Sequence, residues 1–78
     1  MLRPEPQPGE QFLHFKGKKY EIIAIAHHSE TEEKLVIYKA LYGEHRICAR
    51  PYAMFMSEVD HEKYPDVTQK WRFERMAD

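Results

Sequence analysis

The chain has 78 residues, a formal net charge of −1, 42% hydrophobic and 13% aromatic residues, and one cysteine. These values fit one small domain with a folded core, and give no bulk field that would draw nucleic acid or anionic lipid. A lone Cys48 forms no internal disulfide, no apolar run reaches the roughly 18 residues of a membrane helix, and MLRPEPQPGE lacks a signal peptide's apolar core, so the expected location is the cytoplasm.

In chain order, Pro4, Pro6 and Pro8 alternate with polar residues. Each fixes its own φ and pushes its predecessor towards an extended form. Residues 1–9 are therefore read as an extended, loosely held Pro-rich arm, and residues 10–78 as a single small β domain. QFLHF predicts a short strand, ended by a turn at Gly17 in KGK. KYEIIAIAH is a breaker-free, Ile-rich strand. Strict alternation puts Tyr20, Ile22, Ala24 and Ala26 on one face and Ile23, Ile25 and His27 on the other. HHSETEE then reads as a hairpin tip, in which Ser29 and Thr31 satisfy local backbone groups.

KLVIYKALY is the third strand, with Leu35, Ile37 and Leu41 opposite Val36, Tyr38 and Tyr42. YGEHR turns at Gly43, RICAR is a short fourth strand, and PYAMF makes one helical turn with Pro51 at its first position. SEVDHEKYPDVTQ is polar loop, with room for a short strand at its start. KWRFERM, alternating Trp71 and Phe73 against Arg72 and Glu74, is the closing strand. The expected fold is mainly all-β: a small curled sheet or SH3-like barrel of about five strands with one short helical turn. Both long strands are apolar on two faces, so the sheet either curls or is covered, by the C-terminal segment or by another chain. Small size and this two-sided sheet are compatible with a homodimer.

In a meander, alternate turns share an end. The turns at 16–18 and 43–45 lie together. The tip at 28–33 lies with the end of the fourth strand and the turn at 51–55. This brings His28 and Glu30 towards Arg50 and Tyr52, the candidate ligand-binding residues. A guanidinium at Arg50 forks onto a carboxylate or phosphate; its packing alternative is an ion pair with Glu30 or Glu58.

Other chemistry is poorly served. His27 and His28 are neighbours on a strand and point to opposite faces, and no metal-ligand spacing occurs, so no metal is expected. Ser29 beside His28 is not a triad, and Cys48 lies in an apolar strand, where a thiol packs rather than reacts. Glycines 9, 17 and 43 are isolated and form no phosphate cradle. No catalytic residue and no cofactor are assigned. An enzyme would need a pocket of converging polar groups.

The expected function is a non-enzymatic module that binds a protein or a small ligand. The aromatics and methionines at Tyr38, Tyr42, Tyr52, Met54, Phe55, Met56 and Trp71 serve either such an interface or the core. The alternative is a single-stranded nucleic-acid module using Lys16, Lys18, Lys19 and Arg72, which requires the KGKK and KWRFER clusters to share a face. A small enzyme is the third reading. No membrane partner is expected.

The motifs HFKG (His14 to Gly17), HSET (His28 to Thr31), Tyr38 with Leu41 to Gly43, Arg50-Pro51 with Met54-Phe55, and Arg72-Phe73 occur in that order. Together they resemble a family of short bacterial proteins catalogued as a domain of unknown function. The resemblance spans Gly9 to Glu74. It departs at residues 47–49, where a Trp-Val pair is usual before Arg-Pro, and at the long HEKYPDVTQKW before Arg-Phe. It implies a β-rich cytosolic domain and supplies no function.

Overall fold

The computed structural model describes residues 3–76. The strands run β1 Gln11–His14, β2 Lys19–His27, β3 Lys34–Ala40, β4 Ile47–Pro51 and β5 Phe73–Arg75, with α1 Tyr52–Phe55 between the last two. They form one antiparallel sheet in the order β4-β3-β2-β1-β5. Gly17, at φ 88°, makes the tight β1–β2 turn that any side chain would strain. The turn closes through its N–H on the His14 carbonyl, 2.8 Å.

The sheet is curled and open, not a closed barrel: β4 and β5 are its two edges. The curl nevertheless brings those edges towards each other. Phe73 of β5 lies 5.6 Å from the Tyr38 ring of β3, and the Arg50 guanidinium of β4 sits 5.4 Å over Phe73. A bulge in β2 contributes the bend. Pairing passes from Ile22↔Tyr38 to Ala24↔Ile37, leaving Ile23 unopposed, and such an extra residue bends and twists a strand. This corrects the strict alternation expected for β2. Ile22 is fully buried and Ile25 packs on the same core, while Ile23 is 36% exposed.

The core is Phe12, Ile22, Val36, Tyr38, Phe55 and Phe73. Phe55 stacks on Phe73 at 4.1 Å and 9°, with Phe12 edge-on to Phe55 at 5.4 Å. The single turn of α1 exists to drop Phe55 into this cluster. Pro51 is its N-cap rather than its first helical residue: its ψ of 135° is extended and it pairs with Leu35 as the last residue of β4.

From Arg3 onward the N-terminal arm is fastened to the domain, its first two residues lying outside those described. The Gly9 N–H donates to Ile22 O at 2.8 Å, Pro6 is fully buried, and Arg3 donates to the carbonyls of Met56 (3.1 Å) and Phe73 (2.6 Å). Glu5 pairs with Lys34 at the β2–β3 end. The long loop 58–71 is closed at its base by a bridge between Glu58 and Trp71 and by Val59 N–H to Lys70 O, 2.8 Å. Gln69 ties the loop to β1, its amide donating to Leu13 O at 2.9 Å. The C-terminal strand thus extends the sheet beside β1 and does not cover its second face, where Ile23 and Ile47 (62% exposed) remain open. Among the described residues no helix is long and apolar enough to cross a membrane.

Candidate anion-binding pocket

Phe12 and His14 alternate onto the core face of β1, so His14 stands where that face runs out. Beyond it a pocket of about 300 Å³ opens between β1, β4 and the loop 58–71. Its charged lining is Lys16, Arg50, Lys63 and Arg72 against Asp60; His14, Phe15 and Tyr64 complete it.

Each cation is placed by a separate element. Arg50 shares the core face of β4 with Cys48, opposite Val36 and Tyr38. Its Nε donates to the buried Tyr38 hydroxyl at 3.2 Å while the guanidinium lies across Phe73, which leaves its terminal nitrogens for the pocket. The Arg72 backbone is pinned from both sides: its carbonyl accepts from Phe15 N–H and its N–H donates to Ser57 O, both at 3.0 Å. Its Nε is buried with no hydrogen-bond partner. Lys16 stands 5.5 Å from the Tyr64 ring, as does Lys63. Tyr64 in turn packs on Phe15 at 5.0 Å. Asp60 Oδ1 is occupied by the backbone N–H groups of Glu62 and Lys63, at 3.1 and 3.2 Å, so this carboxylate shapes the turn that presents Lys63 and Tyr64. The ion pairs among the described residues are Lys34–Glu5 and Arg75–Glu10, and neither involves a pocket cation.

His14 is the neutral member. Burial, then the charges of Arg50, Lys16 and Arg72, push its pKa down to about 4. Its Nδ1 accepts the Lys16 N–H at 3.1 Å. The neutral ring therefore carries its proton on Nε2 and is a donor. The pocket is all donors except for one carboxylate and the Tyr64 hydroxyl, in a chain whose net charge is −1.

The residues expected at the hairpin tip lie elsewhere. His28 Nδ1 accepts the N–H groups of Glu30 (3.1 Å) and Thr31 (3.3 Å), and Thr31 Oγ1 accepts Glu33 N–H at 3.2 Å. These side chains hold the turn, and Glu30 is exposed. Tyr52 packs beside the core with the Lys34 ammonium 4.2 Å over its ring. Arg50 makes no hydrogen bond or ion pair with His28, Glu30 or Glu58 among the described residues; its guanidinium turns instead to Tyr38 and His14's pocket. Among the described residues no three His, Cys, Asp or Glu side chains gather as a metal site. Of the basic residues considered for nucleic acid, Lys16 and Arg72 share the pocket, Lys18 lies 4.9 Å over Tyr42, and Lys19 precedes core-facing Tyr20 and so points to the other face.

Sequence reasoning passed over His14, Asp60, Lys63 and Tyr64 as site residues. A signal for His14 was the period of two from buried Phe12, which sets a histidine on an apolar face beside a basic turn. Lys63 and Tyr64 had none, because loop closure decides where they go. No curated protein and no solved structure matches the chain. A family model does, over residues 10–75, and the chain belongs to the family it describes, Protein of unknown function (DUF1653).

Proposed function

We propose that this domain is a non-enzymatic binding module whose ligand is a small anion held in the pocket of His14, Lys16, Arg50, Lys63 and Arg72. The observation that carries the reading is four cations, none in an ion pair among the described residues, converging from four chain segments on one concavity. Bringing like charges together costs folding energy, and an anion offsets that cost. Binding of an anion is supported by the charge of the lining, four cations against one carboxylate whose Oδ1 already holds a turn. The free thiol of half-buried Cys48 accords with a reducing cytosol.

Titration of isotope-labelled protein with acetate, sulfate and phosphate, followed by NMR, tests this. Saturable shifts confined to His14, Arg50, Arg72 and their neighbours are expected with at least one of the anions. Absence of saturable shifts with all three sinks the reading. A single-stranded nucleic acid is the second reading, favoured by Lys16 and Arg72 sharing a pocket with Phe15 and Tyr64. It requires salt-sensitive binding of short single strands that loses affinity in Lys18→Gln and Lys19→Gln as well as in Lys16→Gln.

A further inference from the structure

We propose that the pocket's ligand is a phosphate monoester, its dianionic head among Arg50, Arg72, Lys16 and Lys63 and its ester arm passing out beside Phe15 and Tyr64. This rests on the anion reading above and narrows it. The donors approach from four chain segments: the β1–β2 turn, β4, the loop 58–71 and the residue before β5. A carboxylate is planar and carries one charge. A single guanidinium fork matches both its oxygens, and three further cations would stand unmatched. A phosphate monoester has three terminal oxygens in a tetrahedral array and a charge of about −1.5 to −2 at pH 7. It accepts from two guanidinium groups, two ammonium groups and an imidazole N–H at once.

Two further features agree. Arg72 Nε is buried with no hydrogen-bond partner among the described residues, so no acceptor in the described protein occupies that nitrogen. What the pocket lacks is acceptors. The space also exceeds a bare phosphate: at about 30 Å³ per water, 300 Å³ accommodates on the order of ten waters. Phe15 and Tyr64 are part of the pocket's lining, and their rings with the lysine stems that flank them offer an apolar wall to an ester arm.

Isothermal titration of the full chain with inorganic phosphate, ribose 5-phosphate, adenosine 5′-monophosphate, sulfate and acetate at pH 7.5 decides it. Either ester is expected to bind about tenfold or more tightly than acetate, and more tightly than sulfate, which lacks the arm. Inorganic phosphate should lie between, because it lacks the arm. An advantage of the nucleotide over the sugar phosphate would assign the outer wall to a base, and equality would assign it to the sugar; both support the monoester. Arg72→Gln should cost about tenfold or more in ester affinity. Lys16→Gln and Lys63→Gln, exposed positions that leave the core untouched, should each cost about threefold. These two lysine variants keep the test open if an arginine variant fails to fold. Acetate or sulfate binding as tightly as the esters overturns the monoester while leaving the anion pocket standing. Ester binding indifferent to both lysine variants and to Arg72→Gln overturns the placement. Silence from all five ligands overturns both readings.

Discussion

His14 shows how one residue can report on its surroundings. Facing it are the cations of Arg50 on β4, Lys16 in the turn and Arg72 before β5, with the rings of Phe15, Tyr20 and Phe73. Together they hold its pKa at about 4 against an ordinary 6.5. Between those values the unfolded chain binds the proton and the folded one does not. Stability is therefore full above pH 6.5 and is lost as the pH falls towards 4. The urea midpoint should drop across that window in the native chain and drop less in His14→Phe. Its imidazole should titrate near pH 4 by NMR, and Arg50→Gln should move that midpoint up. Saturating a phosphate monoester should move it up too, since the bound anion offsets the cations; a midpoint unmoved by ligand would speak against an anion beside His14. The aromatic core is simpler. Phe55→Ala or Phe73→Ala removes one half of the closest stack in the molecule and should cost about 3–5 kcal/mol. Ile47→Ala, at a 62% exposed edge position, should stay within about 0.5 kcal/mol by urea unfolding.

At the scale of elements, β-branched and aromatic runs between breakers were enough to read the strands, and β2 runs over the residues its pattern indicates. Two features were not legible. The bulge at Ile23 leaves no mark in composition, because Ile-Ile-Ala-Ile satisfies either phase of a period-two pattern; only the buried partners Tyr38 and Val36 on β3 select the phase. The docking of the arm was hidden because prolines dictate an extended path but not what that path lies against. It is a cation, Arg3, that joins the arm to two carbonyls beside the core, at Met56 and Phe73, while its guanidinium covers the Trp71 ring at 4.4 Å. Burial and the nearby charge of Arg75 lower its pKa, a sign that the site is partly dry. Arg3→Ala should therefore destabilise by about 1–3 kcal/mol, far more than Arg46→Ala on the exposed turn. Equal urea midpoints for the two variants would mean that the arm adds nothing to the domain.

For the whole molecule, the site was half legible. The strand-and-turn reading already placed Arg50 at the end of the fourth strand, just before Pro51, and favoured it as a ligand-binding candidate. Its partner was unreadable, because the curl of the sheet, not the sharing of a turn end, decides that it meets Phe73 and His14 rather than Glu30. The motifs that carried the resemblance include His14, Phe15, Lys16, Arg50 and Arg72 among many other residues and assigned them no role; folding gathers these five in one pocket. That arrangement makes a local positive field in a chain of net charge −1, so the field acts at short range. Lys16 and Lys63 are exposed at the rim, whereas Arg50 and Arg72 are half-buried. Added salt screens exposed charges once the Debye length shrinks from about 10 Å at 0.1 M towards 3 Å at 1 M, and buried ones much less. Phosphate-monoester affinity should thus fall severalfold over that range in the native chain. The double variant Lys16→Gln/Lys63→Gln should start weaker and respond less to salt, since the screened charges are gone. Arg72→Gln should be weaker at every salt concentration with the native slope retained. If the lysine pair leaves the slope intact and Arg72→Gln abolishes it, the division of labour is reversed, with the lysines seating the ligand and the arginine acting from a distance.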